Sequence, residues 1–149
     1  KHRLNVALTQ LAVQKAVYDR LRFAPALIAL VGSDKVYDAV PPGVVAPYVI
    51  IGDDVDVESN DDLLDEHGTS QTMTLHVWTE THRGRIAAKQ VLSVFHDLLC
   101  ADLPFAVEGW QVLGAIFEGT GVGQEEDGLT YHGVFRLRIR VQEMRSDHV

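Results

Sequence analysis

Cysteine is almost missing from this 149-residue chain: Cys100 stands alone. A single thiol makes no internal disulfide and holds no zinc by itself, so a stapled secreted scaffold and a cysteine-based metal fold are both excluded. Long apolar runs are missing too. No stretch approaches the roughly 18 to 20 residues that a membrane-spanning helix requires, and the basic N-terminus lacks the apolar core and small-residue cleavage site of a signal peptide, so neither a membrane partner nor a secretory leader is expected. Aromatics are sparse at 7%. Bases are absent from residues 53–66, where Asp53, Asp54, Asp56, Glu58, Asp61, Asp62, Asp65 and Glu66 supply eight of the 21 acids. The rest of the chain holds thirteen acids against thirteen Lys and Arg, so the net charge of -8 belongs to this one segment. Strong phosphate-driven binding of nucleic acid needs a basic excess and is disfavoured.

What is present is the make-up of one ordinary globular domain spanning 1–149, 46% apolar and 23% charged, with the acidic stretch 53–66 as a looped insertion. Residues 6–21 read as a helix with Val6, Val13, Ala16, Val17 and Leu21 on one face and Lys15, Asp19 and Arg22 on the other. Leu4, Leu8 and Leu11 fall on the charged side, where either a covering loop or a neighbouring subunit would bury them. Pro25 opens a short second helical turn that Gly32 closes.

Strands are expected at 35–39 and 48–51, separated by Pro41, Pro42 and Gly43. Across 71–81, Met73, Leu75 and Val77 alternate with Thr72, Thr74, His76 and Trp78 at the period of a half-buried strand. Residues 83–100 form the strongest helix, with Ala88, Val91, Leu92, Phe95, Leu98 and Leu99 on one stripe. An apolar strand follows at 110–118, then a glycine-rich acidic hairpin tip. In the last strand Phe135, Leu137, Ile139 and Val141 take one face and Arg136, Arg138 and Arg140 the other. The order α-β-β-β-α-β-β contains no obligatory parallel crossover. It predicts an α+β fold: an antiparallel sheet of four to five strands with two main helices on one face.

The motifs that carry chemistry fail on inspection. An EF-hand started at Asp54 has Ser59 where the invariant glycine belongs and Asp65 where the bidentate glutamate belongs. Gly119, Gly121 and Gly123 lead into acids and a strand rather than a helix N-terminus, and no P-loop lysine follows. His76, His82 and His96 show no helical zinc spacing, no nucleophile elbow exists, and Cys100 lies at a helix C-terminus whose dipole raises a thiol pKa. Catalytic, cofactor and metal sites are therefore all expected to be absent, and an enzyme is not expected. The arginine row 136, 138 and 140 lacks interleaved aromatics, so pairing with carboxylates, in this domain or on a neighbour, is the expected use.

Three segments together resemble a known family. V-Y-D-A-V-P-x-G followed by P-Y-V-I-I-G, then L-H-V-W-T leading into G-R-x-x-A-K, then D-G-L-T-x-H-G-V-F-R-L-R, resemble in this order and spacing the tail-completion, or tail terminator, proteins of long-tailed phages and gene transfer agents. The likeness spans about residues 12–141. It implies a structural virion protein, assembled in the bacterial host cytoplasm, whose homo-oligomeric ring, usually a hexamer, caps the tail tube at its head-proximal end. It further implies the major tail tube protein and head-closure or connector proteins as partners, with DNA passing through the ring without specific binding. Leu4, Leu8, Leu11 and the three arginines are the candidate subunit or partner contacts, and the eight acids are candidates to face the lumen or a basic partner. Alternatives are a head-closure or connector ring subunit and a small-molecule-binding α+β domain.

Overall fold

The computed structural model describes residues 6–57, 68–101 and 105–144. Helices α1 (Val6–Arg22) and α2 (Pro25–Val31) lead into a short strand β1 (Val36–Tyr37) and then β2 (Tyr48–Val57) and β3 (Gly68–Glu80). A single 3-10 turn joins β3 to α3 (Gly84–His96), which loosens into one π turn at Asp97–Ala101; β4 (Trp110–Gln124) and β5 (Thr130–Glu143) complete the chain. The five strands form one sheet in the order β1-β2-β3-β5-β4.

The alternation in β3 and β5 determines which face is covered. Met73, Leu75 and Val77 of β3 and Phe135, Leu137, Ile139 and Val141 of β5 are all buried, and they meet Val13, Val17 and Leu21 of α1 and Ala88, Val91, Leu92 and Phe95 of α3 in one core. Phe95 and Phe135 pack edge to face with centroids 5.8 Å apart. At Gly133 the neighbouring strand and the helix both come close: a Cβ would stand 2.9 Å from Cγ1 of Val77, its partner on β3, and 3.4 Å from the Leu92 methyls of α3. Glycine is what lets α3 lie flat on β5 there.

Three details differ from the sequence expectation. The sheet is mixed, since β1 pairs parallel with β2 through Val36↔Val49 and Tyr37↔Ile50. The prolines between them prevent a tight hairpin, and the ten-residue connection lets the chain return in the same direction. Strand β2 runs on to Val57, so Asp53, Asp54 and Asp56 are strand residues rather than loop; Glu58, Asp61, Asp62, Asp65 and Glu66 lie outside the described residues. Finally, Gly119, Gly121 and Gly123 belong to β4, paired against Arg136, Val134 and His132, and are not the hairpin tip. The tip is the tight turn beyond, where Glu125 N–H donates to Thr130 O and Gly128 N–H to Glu125 O, both at 2.9 Å.

Candidate functional site

Strand β4 lies at the margin of the sheet and, among the described residues, its one strand partner is β5, apart from a single bridge from Trp110 to Val107. Two bulges, between Val112 and Gly114 and between Phe117 and Gly119, bend it. Gly119 at the second bulge has φ of +154°, a backbone that other residues rarely adopt. Leu113, Ile116 and Phe117 are each more than 40% exposed along this margin. A long strand with unpaired backbone groups and exposed apolar side chains is a template for pairing with another chain.

Beside the margin, on the helix side, an apolar groove of about 450 Å³ runs between α3 and β4, lined by Leu92, Phe117, Val122 and Phe135, with Lys89 and His96 at its rim. His96 meets the Phe117 ring edge-on at 5.7 Å. At the opposite margin, β1 covers only Val49 and Ile50 of β2, leaving the remainder of β2 without a strand partner on that side among the described residues. A second groove of about 480 Å³ lies there between α1 and β1, lined by Leu11, Tyr18, Tyr37 and Ile51 among others. A third, of about 740 Å³, separates α1 from residues 106–110 and Met144. Leu11 is 66% exposed and lines both of the last two. Leu4 is outside the described residues, and of Leu8 only the helical backbone is described.

The face of the sheet away from the helices has two halves. In one, Arg136, Arg138 and Arg140 lie beside Thr74, Thr72 and Ser70 of β3. Arg138 reaches Glu118 of β4 at 3.0 Å, a within-chain carboxylate partner of the kind the alternation suggested. The other half is an aromatic row at the end that carries the β4–β5 turn. Tyr48, Trp78, His132 and His76 stack across three strands, with the Trp78 and His132 rings nearly parallel at 8° and 4.3 Å between centroids.

Within that row, His132 Nδ1 sits 3.1 Å from Glu125 Oε1, and His132 Nε2 sits 2.8 Å from His76 Nδ1. With His132 neutral and donating its Nδ1 proton to Glu125, its Nε2 is an acceptor and His76 must be the donor. Burial, aided by the neighbouring His76, lowers the His132 pKa, and the Glu125 carboxylate opposes this only in part. Burial and then the Glu125 charge raise the Tyr48 phenol. Sequence reasoning missed this cluster. Its signal is parity: His76 and Trp78 share the phase of Thr72 and Thr74, and His132 shares that of the arginines. The register that brings them together is long-range.

His82 is exposed and 4.0 Å from Glu80, while Cys100 is half-buried, with its thiol pKa raised by burial. Among the described residues, no three His, Cys, Asp or Glu side chains converge to hold a metal ion, and no helix is long and apolar enough to cross a membrane.

Open strand margins, apolar grooves beside them and a polar face with paired charges make up a subunit that works by contact, the build of an assembly protein. The chain belongs to the tail completion protein family, whose model, described as tail completion protein gp17, matches residues 15–142. It is a structural, non-enzymatic component of a phage or gene-transfer-agent virion. A solved chain in the virion of a native gene transfer agent particle is 32% identical, with a TM-score of 0.73, and the match covers 89% of this chain and 96% of that one. The bacteriophage SPP1 gp17 protein has the same fold, at 23% identity and a TM-score of 0.57, over 95% of each chain. No curated protein matches the chain significantly in sequence.

Proposed function

We propose that copies of this chain, each acting as one domain, close into a six-fold ring that caps the head-proximal end of the tail tube. The ring ends tube polymerisation by occupying the surface on which the next tube ring would form, and it offers its other face to the head-closure or connector proteins. DNA passes through it without specific binding. The observation that carries this reading is the open β4 margin: beyond Trp110 the strand has no outer strand partner among the described residues, and a neighbouring copy in a closed ring shelters it. A head-to-tail contact is required, because only a heterologous interface repeats around a ring. Leu4, Leu8 and Leu11, the arginine row and the acidic residues 53–66 are the proposed contacts to neighbours, partners or lumen.

Counting copies per particle tests the reading. Quantitative mass spectrometry of purified particles is expected to give six copies of this chain for each particle, unchanged between tails of different length. A copy number that rises in proportion to the tube protein would make it a tube subunit and would overturn the proposal.

A further inference from the structure

The strands at the two margins of the sheet differ in charge: β2 holds acids only, while on the β4 side cations lie along the middle of the margin and the acids Glu125, Glu126 and Asp127 sit in the turn at its end. Strand β2, at one side, contains Asp53, Asp54 and Asp56 and no base. At the other side β5 contains three arginines against Glu143, β4 has Glu118 as its one charged residue, and that carboxylate is held by Arg138. Helix α3, packed behind this margin, contains Arg85 and Lys89 and no acid. Cations therefore flank β4 on both faces: exposed Lys89 at the rim of the α3–β4 groove, and exposed Arg136 on the outer face, in register with Gly119, where β4 has no side chain of its own.

We infer that the β4 margin of one copy pairs with the acidic β2 margin of the next, so that the sheet continues from subunit to subunit and the α3–β4 groove is covered by the neighbour. This rests on the ring reading above and adds which surfaces meet. Three edge pairings are open to a second copy. Joining β2 to β2 brings six aspartates together, and joining β4 to β4 sets Lys89 and Arg136 of both copies against each other; like charges in such contacts are strongly unfavourable. Both are also two-fold contacts, which close as dimers and leave the other margin open. Only β4 against β2 matches opposite charges, satisfies backbone groups on both margins, and repeats around a ring. Three of the eight acids behind the net charge then have a use within the assembly, and the asymmetry between margins sets the direction in which subunits add.

Reciprocal charge reversal tests this in cells that produce the particle. One variant carries Asp53→Lys, Asp54→Lys and Asp56→Lys; the other carries Lys89→Glu and Arg136→Glu, leaving the Arg138–Glu118 pair untouched. Each alone presents like charges at every β4–β2 contact, and each is expected to lower the yield of tailed particles by about tenfold or more. Co-expressed, the two alternate around the ring with every contact again complementary, and the yield is expected to recover. Circular dichroism on each purified variant establishes that it folds, and a variant that does not is replaced by the neutral Asp→Asn or Lys89→Gln, Arg136→Gln form, for which the expected loss is smaller and the recovery still required. Recovery supports the pairing. Normal yield from either folded variant alone, or no recovery from two folded variants together, overturns it while leaving the ring reading standing. Normal tailed particles in cells lacking the chain altogether would overturn the ring reading itself.

Discussion

Gly133→Ala sets two effects of known size against each other. Glycine within a strand is less favourable than alanine by about 0.5–1 kcal/mol through the entropy of the unfolded chain, so the substitution taken by itself stabilises. The added methyl, however, stands 2.9 Å from Val77 Cγ1 and 3.4 Å from both Leu92 methyls, where carbon atoms prefer about 3.5–4.0 Å. Val77 is fully buried and β-branched, so it cannot rotate away without leaving its preferred rotamer, whereas Leu92, which lines the α3–β4 groove, can yield only by shifting its methyls towards that groove. Overpacking of this kind costs about 1–3 kcal/mol, which offsets or exceeds the entropic gain and leaves a net loss of up to about 2.5 kcal/mol. Gly121→Ala is the internal control: the site faces open space, with nothing within 4 Å of the new Cβ, so the entropic term acts alone and stability is expected to hold or rise by up to about 1 kcal/mol. Urea unfolding of both variants reads the sign directly. Val77→Ala combined with Gly133→Ala should cost less than the sum of the single changes, because the double variant removes the clash. A Gly133→Ala protein more stable than the parent, or additive behaviour in the double variant, would refute the account of how β5 packs against Val77 and α3 at this point.

Three further outcomes follow from the same structure. Because the folded-state pKa of His132 lies below the ordinary value of about 6.5, the unfolded chain takes up the proton first, and stability, full above that pH, falls as the solution is acidified through it. The urea midpoint should therefore drop between pH 7.5 and 5.5, and drop less in His76→Gln; equal slopes in the two proteins would count against the coupled pair. Cys100, half-buried and with its thiol pKa raised, should react with a thiol reagent at pH 7.5 more slowly in the native protein than in urea, and equal rates would contradict its placement. Phe135→Ala should cost about 3–5 kcal/mol, whereas Arg138→Met should cost less than about 1 kcal/mol, since the Arg138–Glu118 pair is partly exposed; similar losses in equilibrium unfolding would overturn that ranking.

Much of the architecture could be read in the chain because burial writes its period into the residues. The alternation of Met73, Leu75 and Val77, and of Phe135, Leu137, Ile139 and Val141, predicts two strands with the same covered face, and the 3.6-residue stripe from Ala88 to Phe95 predicts the helix that covers them. Where the period fails, so did the reading. Beyond residue 118 strand β4 runs through Gly119, Gly121 and Gly123, which offer no side chain to reveal a phase, so the pattern predicts an end at residue 118 and the strand ends at Gln124. The parallel pairing of β1 with β2 rests on two residue pairs and a loop whose path no local pattern specifies. In β2, the aspartates suggest a solvated loop, and Asp53 and Asp54 do interrupt the ladder with β3 as a bulge, but the strand resumes at Val55↔Thr72 and runs to Val57↔Ser70.

The arginine row is legible in the spacing of residues 136, 138 and 140, and within the chain Arg138 pairs with Glu118. The His76–His132–Glu125 chain was not found, because its members are brought together by the antiparallel register of β3 and β5, which local periodicity does not encode. The open margin of β4 depends on strand order and is likewise a property of the assembled sheet.

Whether this chain ends the tail tube and joins it to the head is tested most directly by electron micrographs of particles made in cells that lack it. Overlong tubes, together with filled heads to which no tail is attached, are the expected result. Tails of ordinary length, joined to filled heads, would contradict it.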